Sequence, residues 1–217
     1  MGGESLKDCF LDSALIREAK TAISFFREGK EKTEISYGQL HQDSSRIANA
    51  FINRGVGKGD RVVLYMPKSL GFVVAHLAIQ KIGAIGIPLN PGFTRSEMEY
   101  LLDDTGAKLV VSGTEQEAVV KDIDPRLAAV VIATERPYQE LEFFRSAPDA
   151  ITQVAIGSED PALIIYPSGT TGKPKGAILT QRNLVHDARN IITIWEIRES
   201  DVGMSCPATF SYPWAVL

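Results

Sequence analysis

Ala162-Leu163-Ile164-Ile165-Tyr166-Pro167-Ser168-Gly169-Thr170-Thr171-Gly172-Lys173-Pro174-Lys175-Gly176-Ala177-Ile178-Leu179-Thr180 decides how this chain is read. Two apolar runs, Ala162–Tyr166 and Ala177–Thr180, bracket three glycines, three hydroxyls and two lysines in Ser168–Gly176. Glycine lets a backbone turn tightly and approach a ligand closely. Successive N–H groups in such a turn form a concavity that binds anions. The hydroxyls add donors and the lysines add positive charge. The combination suits a polyphosphate, so nucleotide chemistry is the first expectation.

Two familiar phosphate loops fail here. The Walker pattern places Gly-Lys-Ser/Thr at the start of a helix, with the hydroxyl on Mg²⁺. In this chain Gly172-Lys173 is followed by Pro174, and Ala177-Ile178-Leu179-Thr180 reads as strand. The helix N-terminus that usually binds phosphate is therefore not expected. Gly55-Val56-Gly57-Lys58-Gly59 is no dinucleotide fingerprint, because it follows a helix and precedes a strand, the reverse of the required order. It reads as a helix-to-strand turn.

Outward from the loop, helix and strand signals alternate. Ser36 with Gln39, and Thr94 with Glu97, have the spacing of capping boxes. Leu40, Ile47, Ala48, Phe51 and Ile52 fall on one helical face, with Gly55 as a stop. Arg61–Met66, Ala84–Leu89, Lys108–Ser112 and Ala128–Ala133 read as strands, and Ser69–Ile82 as an apolar helix. Met98, Leu101 and Leu102 give the next helix its buried stripe, and Gly106 its stop. Pro137–Arg145 predicts a short helix. Residues 146–160 read as a linker-like, turn-rich connection. A last helix, from about Gln181 to Ile197, carries Leu184, Val185, Ala188, Ile191, Ile192 and Trp195 on one face. Apolar strands alternating with helices predict an α/β fold with a largely parallel sheet.

At 217 residues, 44% of them apolar and 23% charged, the composition is that of a globular domain or part of one. The net charge of −4 gives no electrostatic case for nucleic acid. Cys9 and Cys206 are isolated, so neither a zinc site nor a disulfide framework is indicated and a reduced, cytoplasmic setting is expected. No apolar run is long enough to span a bilayer. His76, in an apolar helix, reads as a core residue; His41 and His186 read as solvated. Glu97, Glu99, Asp103 and Asp104 read as helix-face charges rather than a metal cluster. The apolar end, Ser211-Tyr212-Pro213-Trp214-Ala215-Val216-Leu217, reads as a domain cut short.

Tyr166-Pro167-Ser168-Gly169-Thr170-Thr171-Gly172-Lys173-Pro174-Lys175-Gly176 resembles the signature loop of the adenylate-forming (AMP-binding) superfamily, which contains acyl-CoA synthetases and peptide-synthetase adenylation domains. Gly59-Asp60-Arg61-Val62, Lys81-Ile82-Gly83-Ala84, Pro88-Leu89-Asn90-Pro91 and Leu101-Leu102-Asp103-Asp104 are similar to its upstream blocks, so the likeness covers roughly residue 33 to the end. There are departures: Gln181 stands where many relatives have histidine, Pro167 where Thr is common, and Ser211 near a position that is often histidine.

The resemblance implies the truncated N-terminal domain of an adenylate-forming enzyme, occupying residues 1–217, with the C-terminal part absent. It implies ATP-dependent activation of a carboxylic acid to an acyl-adenylate, then thioester formation with coenzyme A. Loading of a carrier-protein thiol, or a non-catalytic nucleotide-binding fragment, are the alternatives. It assigns ATP contacts to Ser168, Gly169, Thr170, Thr171, Gly172, Lys173, Lys175 and Gly176, with Mg²⁺ bridging phosphate oxygens. Phe210, Tyr212 and Trp214 are candidates for an acyl pocket, with core packing the competing role. The catalytic lysine, the metal-associated glutamate and the ribose-binding aspartate of the family have no counterpart here. No catalytic residue is therefore expected in this chain, and by itself it should not complete adenylation.

Overall fold

The computed structural model describes residues 5–27, 31–133, 137–150, 154–166 and 174–203. The chain runs α1 (Leu6–Ile16), β1 (Thr21–Arg27), β2 (Glu31–Ser36), α2 (Tyr37–Ile52), β3 (Arg61–Tyr65), α3 (Leu70–Lys81), β4 (Ile85–Leu89), α4 (Arg95–Thr105) and β5 (Leu109–Ser112). It continues with α5 (Thr114–Ile123), β6 (Ala128–Val131), a 3-10 turn at Tyr138–Glu140, α6 (Glu142–Ser146), β7 (Pro161–Ile165), β8 (Ala177–Thr180) and α7 (Gln181–Ile194). The strands form a sheet of order β6-β5-β3-β4-β7-β8, parallel except for β8, and a separate antiparallel hairpin β1-β2. The α/β expectation holds.

The sheet sorts its side chains with the two-residue period of a strand. Val62, Leu64, Leu109 and Val111 face α2 and α3, in a core that includes Leu40, Ile47, Phe51, Val74 and Ile79. Val63, Tyr65, Ile87, Leu89 and Val110 face α4 and α5, against Met98, Leu101, Leu102 and Val120. Burial on both faces explains why β3, β4 and β5 read as unbroken apolar runs. A third cluster, Leu6, Ala162, Leu163, Leu184 and Val185, joins α1 and α7 to β7.

Local signals fix the element ends. Thr94 and Glu97 form the reciprocal capping box, with Thr94 N–H donating to Glu97 Oε2 at 2.7 Å. Ser36 caps α2 only halfway. Its Oγ accepts from Gln39 N–H at 3.2 Å, but the Gln39 amide turns away to Asp43 Oδ1 at 2.6 Å. Gly106 ends α4 at φ 52°, in the left-handed region that glycine enters without a Cβ clash. The Gly55–Gly59 stretch is the expected turn between α2 and β3.

Pro88 stands in a central strand, where a missing N–H is normally excluded. The ladder between β4 and β7 consists of the single pair Gly86–Leu163, and Pro88, two residues on, has no N–H to extend it. The sheet therefore loosens where β7 runs toward the Gly-rich loop.

The connection after α6 is held in place. Arg46 Nη1 donates to Ala147 O at 2.7 Å, Asn49 Nδ2 to Pro148 O at 2.7 Å and to Ala150 O at 2.9 Å, and Lys7 Nζ to Val154 O at 2.7 Å. Lys58 adds a bond to Ala155 O at 2.8 Å and an ion pair with Asp160 at 2.6 Å.

Candidate functional site

β7 and β8 are the two arms of an antiparallel hairpin, paired from Pro161–Thr180 to Ile165–Ala177. The Gly-rich segment joins their ends, at the carboxyl end of a strand in a mostly parallel sheet. That edge is where open α/β sheets bind ligands. As expected, the segment returns as a strand and not as a helix, which removes the Walker arrangement. Ser168, Gly169, Thr170, Thr171, Gly172 and Lys173 lie outside the described residues, as do Phe210, Tyr212 and Trp214.

Tyr166 and residues 174–176 form the two ends of the loop. Lys175 and Gly176 are exposed, and among the described residues no carboxylate pairs with Lys175. Gly176 lies against the Tyr166 ring. A Cβ there would fall 2.6 Å from Ile164 Cγ2, 3.0 Å from Tyr166 Cζ and 3.2 Å from its hydroxyl. Ile164 is β-branched and held in a strand, so it has little room to yield. Gly176→Ala is expected to destabilise the protein by about 1–3 kcal/mol, the usual effect of overpacking; urea unfolding of the two proteins checks this.

Tyr166 is buried, and its hydroxyl donates to Asp104 Oδ2 at 2.6 Å. Burial, then the Asp104 hydrogen bond, raises the Tyr166 pKa far above the usual phenol range, so it stays protonated. The Tyr100 hydroxyl donates to Pro174 O at 3.0 Å. The acids of α4 are thus not uniform. Glu97 caps the helix, Glu99 pairs with Arg95 at 3.6 Å, and Asp104, read from sequence as a surface charge, serves the loop's first arm.

The base of the hairpin is locked by buried amides. Leu6 N–H donates to Gln181 Oε1 at 2.9 Å, Gln181 Nε2 to Gln80 Oε1 at 2.9 Å, and Gln80 Nε2 to Ala162 O at 3.2 Å. Gln181 is 0% exposed and Gln80 1%. This relay joins α1, α7, α3 and β7. Thr180 and Asn183 form a reciprocal capping box immediately before it, with Thr180 N–H donating to Asn183 Oδ1 at 2.9 Å. An open groove of about 610 Å³, lined by Leu179, Arg182, Asn183, Leu184, His186 and Asp187, runs beside this helix start.

Three sequence expectations change. His41 is not solvated. It lies half-buried beside Lys81, and burial, then the Lys81 charge, holds its imidazole below the usual range. Trp195 does not pack: it is 73% exposed, with Ile194 at 75%. Only the first turn of α7, through Leu184 and Val185, reaches the core at β7, so the apolar stripe runs past its partner. The short helix expected at Pro137–Arg145 is split into the 3-10 turn and α6. His76, read as a core residue, is half-buried in α3, and desolvation pushes its imidazole down to about 4. Among the described residues, no three His, Cys, Asp or Glu side chains are grouped to hold a metal ion, and no helix is long and apolar enough to cross a membrane.

With the hairpin and its loop arms in place, comparison with known proteins is decisive. The family model described as AMP-binding enzyme matches residues 11–216. The chain belongs to the AMP-binding enzyme family. The match begins upstream of the blocks legible in sequence and takes in most of α1 and the β1-β2 hairpin. Among curated AMP-binding relatives, the crotonobetaine/carnitine–CoA ligase of Salmonella enteritidis is 29% identical over 97% of this chain and 43% of its own length. A dimodular nonribosomal peptide synthase of Bacillus subtilis is 27% identical over 91% of this chain and 8% of its own length. Among solved structures, ATP-bound MatB from Rhodopseudomonas palustris superposes with a TM-score of 0.80 at 28% identity, covering 90% of this chain and 38% of that one. The chain thus spans less than half the length of these relatives.

Proposed function

We propose that the protein carrying this chain joins a carboxylic acid to the AMP moiety of ATP, releases pyrophosphate, and passes the acyl group to the thiol of coenzyme A. Residues 1–217 are then a partial N-terminal AMP-binding domain. The observation that carries this reading is the antiparallel hairpin β7-β8, whose Gly-rich connection ends in an exposed lysine and a glycine with no room for a side chain. Membership of a family with coenzyme A ligases among its members supports the choice of acceptor.

The residues present suit a triphosphate. In this reading the N–H groups of Gly169, Gly172 and Gly176 and the hydroxyls of Ser168, Thr170 and Thr171 donate to phosphate oxygens. Lys173 and Lys175 neutralise their charge, and stabilising the charge of the leaving pyrophosphate is the largest contribution such a loop makes. Mg²⁺, when bound with ATP, would supply further charge neutralisation there. Phe210, Tyr212 and Trp214 are assigned to the acyl pocket.

The test is acid-dependent exchange of pyrophosphate into ATP by the full-length protein, over a panel of fatty, aryl, dicarboxylic and amino acids, followed by mass analysis of the thioester. Exchange with an organic acid and formation of its coenzyme A thioester is the expected result. Amino acids alone supporting exchange, with no coenzyme A product, would favour the carrier-protein reading suggested by the peptide-synthase relative. No exchange with any acid would overturn the proposal.

A further inference from the structure

We propose that Tyr100 and Asp104, one helical turn apart on α4, are positioning residues that set the spacing and angle of the two ends of the phosphate loop. The proposal rests on the phosphate-loop reading above and adds a part of the fold that lies outside the loop.

Residues four apart on a helix share a face, and here each takes one arm of the loop. Asp104 Oδ2 accepts from Tyr166 O–H at 2.6 Å, at the point where the chain leaves β7. The Tyr100 hydroxyl lies 3.0 Å from Pro174 O and 3.4 Å from Asp104 Oδ1. It has one proton to give, and the shorter distance assigns that proton to Pro174, at the point where the chain returns toward β8. The Tyr166 ring completes the clamp, because its Cζ and hydroxyl lie 3.0 and 3.2 Å from where a Cβ on Gly176 would be. One helix thus touches both ends of the loop, and one ring touches both arms of the hairpin.

The position of Asp104 points the same way. It lies in the last turn of α4, two residues before Gly106, and that turn holds no basic residue. A carboxylate is disfavoured at the negative end of a helix. Helix stability does not account for Asp104, whereas its bond to Tyr166 does. The apolar cluster around Tyr166, which includes Met98, Leu101 and Leu102 of α4, makes the helix a rigid support for the loop. Held groups contribute to phosphate binding only while their geometry is kept, and small displacements reduce rates strongly.

The experiment uses the full-length protein and steady-state kinetics with ATP and the acid varied separately. Tyr100→Phe removes one hydroxyl from a half-buried site and should keep the fold. Asp104→Asn keeps the shape but makes the acceptor neutral, and Tyr166→Phe removes the donor. Each is expected to raise KM for ATP about threefold to tenfold, with KM for the acid unchanged and melting temperature within a few degrees of wild type. Lys175→Ala is the reference for the loop itself. If Lys175→Ala raises KM for ATP while Tyr100→Phe and Asp104→Asn leave it unchanged, the clamp is overturned and the phosphate-loop reading stands. If Lys175→Ala also leaves it unchanged, both are overturned. Equal loss with ATP and acid, tracking melting temperature, would show a purely structural role and would likewise overturn the proposal.

Discussion

Replacing Gln181 by alanine is expected to destabilise the protein by about 3–5 kcal/mol, measured by urea unfolding. Two buried groups lose their partner at once: the N–H of Leu6, which donates to Gln181 Oε1, and Gln80 Oε1, which accepts from Gln181 Nε2. Each orphaned group contributes about 1–3 kcal/mol, and the emptied volume adds to this. The effect should also reach the hairpin. Gln80 is left to its single bond with Ala162 O on β7, and the first turn of α7 loses its tie to α1. A loss below about 1 kcal/mol would mean that the relay is not the fastening described. The structure shows what the amide does that an aliphatic residue could not: it accepts on one side and donates on the other.

The second large effect concerns Lys81, which is 3% exposed and, among the described residues, has no carboxylate partner. Its Nζ donates to His41 O at 2.6 Å and to Ser45 Oγ at 2.8 Å, stands 3.1 Å from His41 Nδ1 and lies 5.7 Å from the Phe10 ring centroid. The His41 Nδ1 lone pair faces the ammonium, so the ring proton sits on Nε2. Burial pushes the Lys81 ammonium down to about 7 from its ordinary 10.5. Between those values the unfolded chain holds a proton that the folded chain has released. Stability from this group therefore rises as pH climbs from about 7 toward 10.5, and is lowest below 7, where the buried ammonium carries its full burial penalty.

Lys81→Met should remove that dependence. His41 O and Ser45 Oγ stay satisfied, since the Ser45 hydroxyl donates to the same carbonyl at 3.0 Å. The variant is expected to be the more stable protein at pH 6, by an amount on the order of 3 kcal/mol, with the difference shrinking steadily toward pH 10. Taking the difference between the two proteins cancels the groups that do not face Lys81, including Tyr138; His41, held down in part by the Lys81 charge, is relieved in the variant and adds to the difference in the same direction at low pH. The Tyr138 phenol is raised far above the usual range by burial and by the Asp43 carboxylate, and its stabilisation is lost only above pH 10. A difference that does not vary with pH would contradict the assignment.

These two residues show how far the chain can be read without coordinates. The central strands were legible because burial on both faces leaves long apolar runs, as in Arg61–Met66. Thr94 with Glu97 and Gly106 were legible because caps act locally. β8 was legible as a strand from Pro174 and the apolar residues after Gly176, but its antiparallel pairing with β7 was not. Four elements escaped. α5 is largely polar, buries only Gln116 and Val120, and begins at Gly113 without a side-chain cap. α1 and the β1-β2 hairpin belong to the edge of the core, where Leu6, Phe10 and Ile35 are buried among many exposed neighbours. The site partners Asp104, Gln80 and Gln181 are polar residues separated by tens of positions, and no periodicity links them. Trp195 misled for the opposite reason: helical period locates a face but not the point at which the neighbouring element ends.

The central claim is that the connection between β7 and β8 holds the phosphates of ATP. Amide hydrogen exchange of the full-length protein, with and without ATP, reads this directly. The account predicts that ATP slows exchange at the backbone amides of residues 168–176, and that Lys175→Ala weakens this protection. Binding of ATP with no change in exchange across residues 168–176 would contradict it.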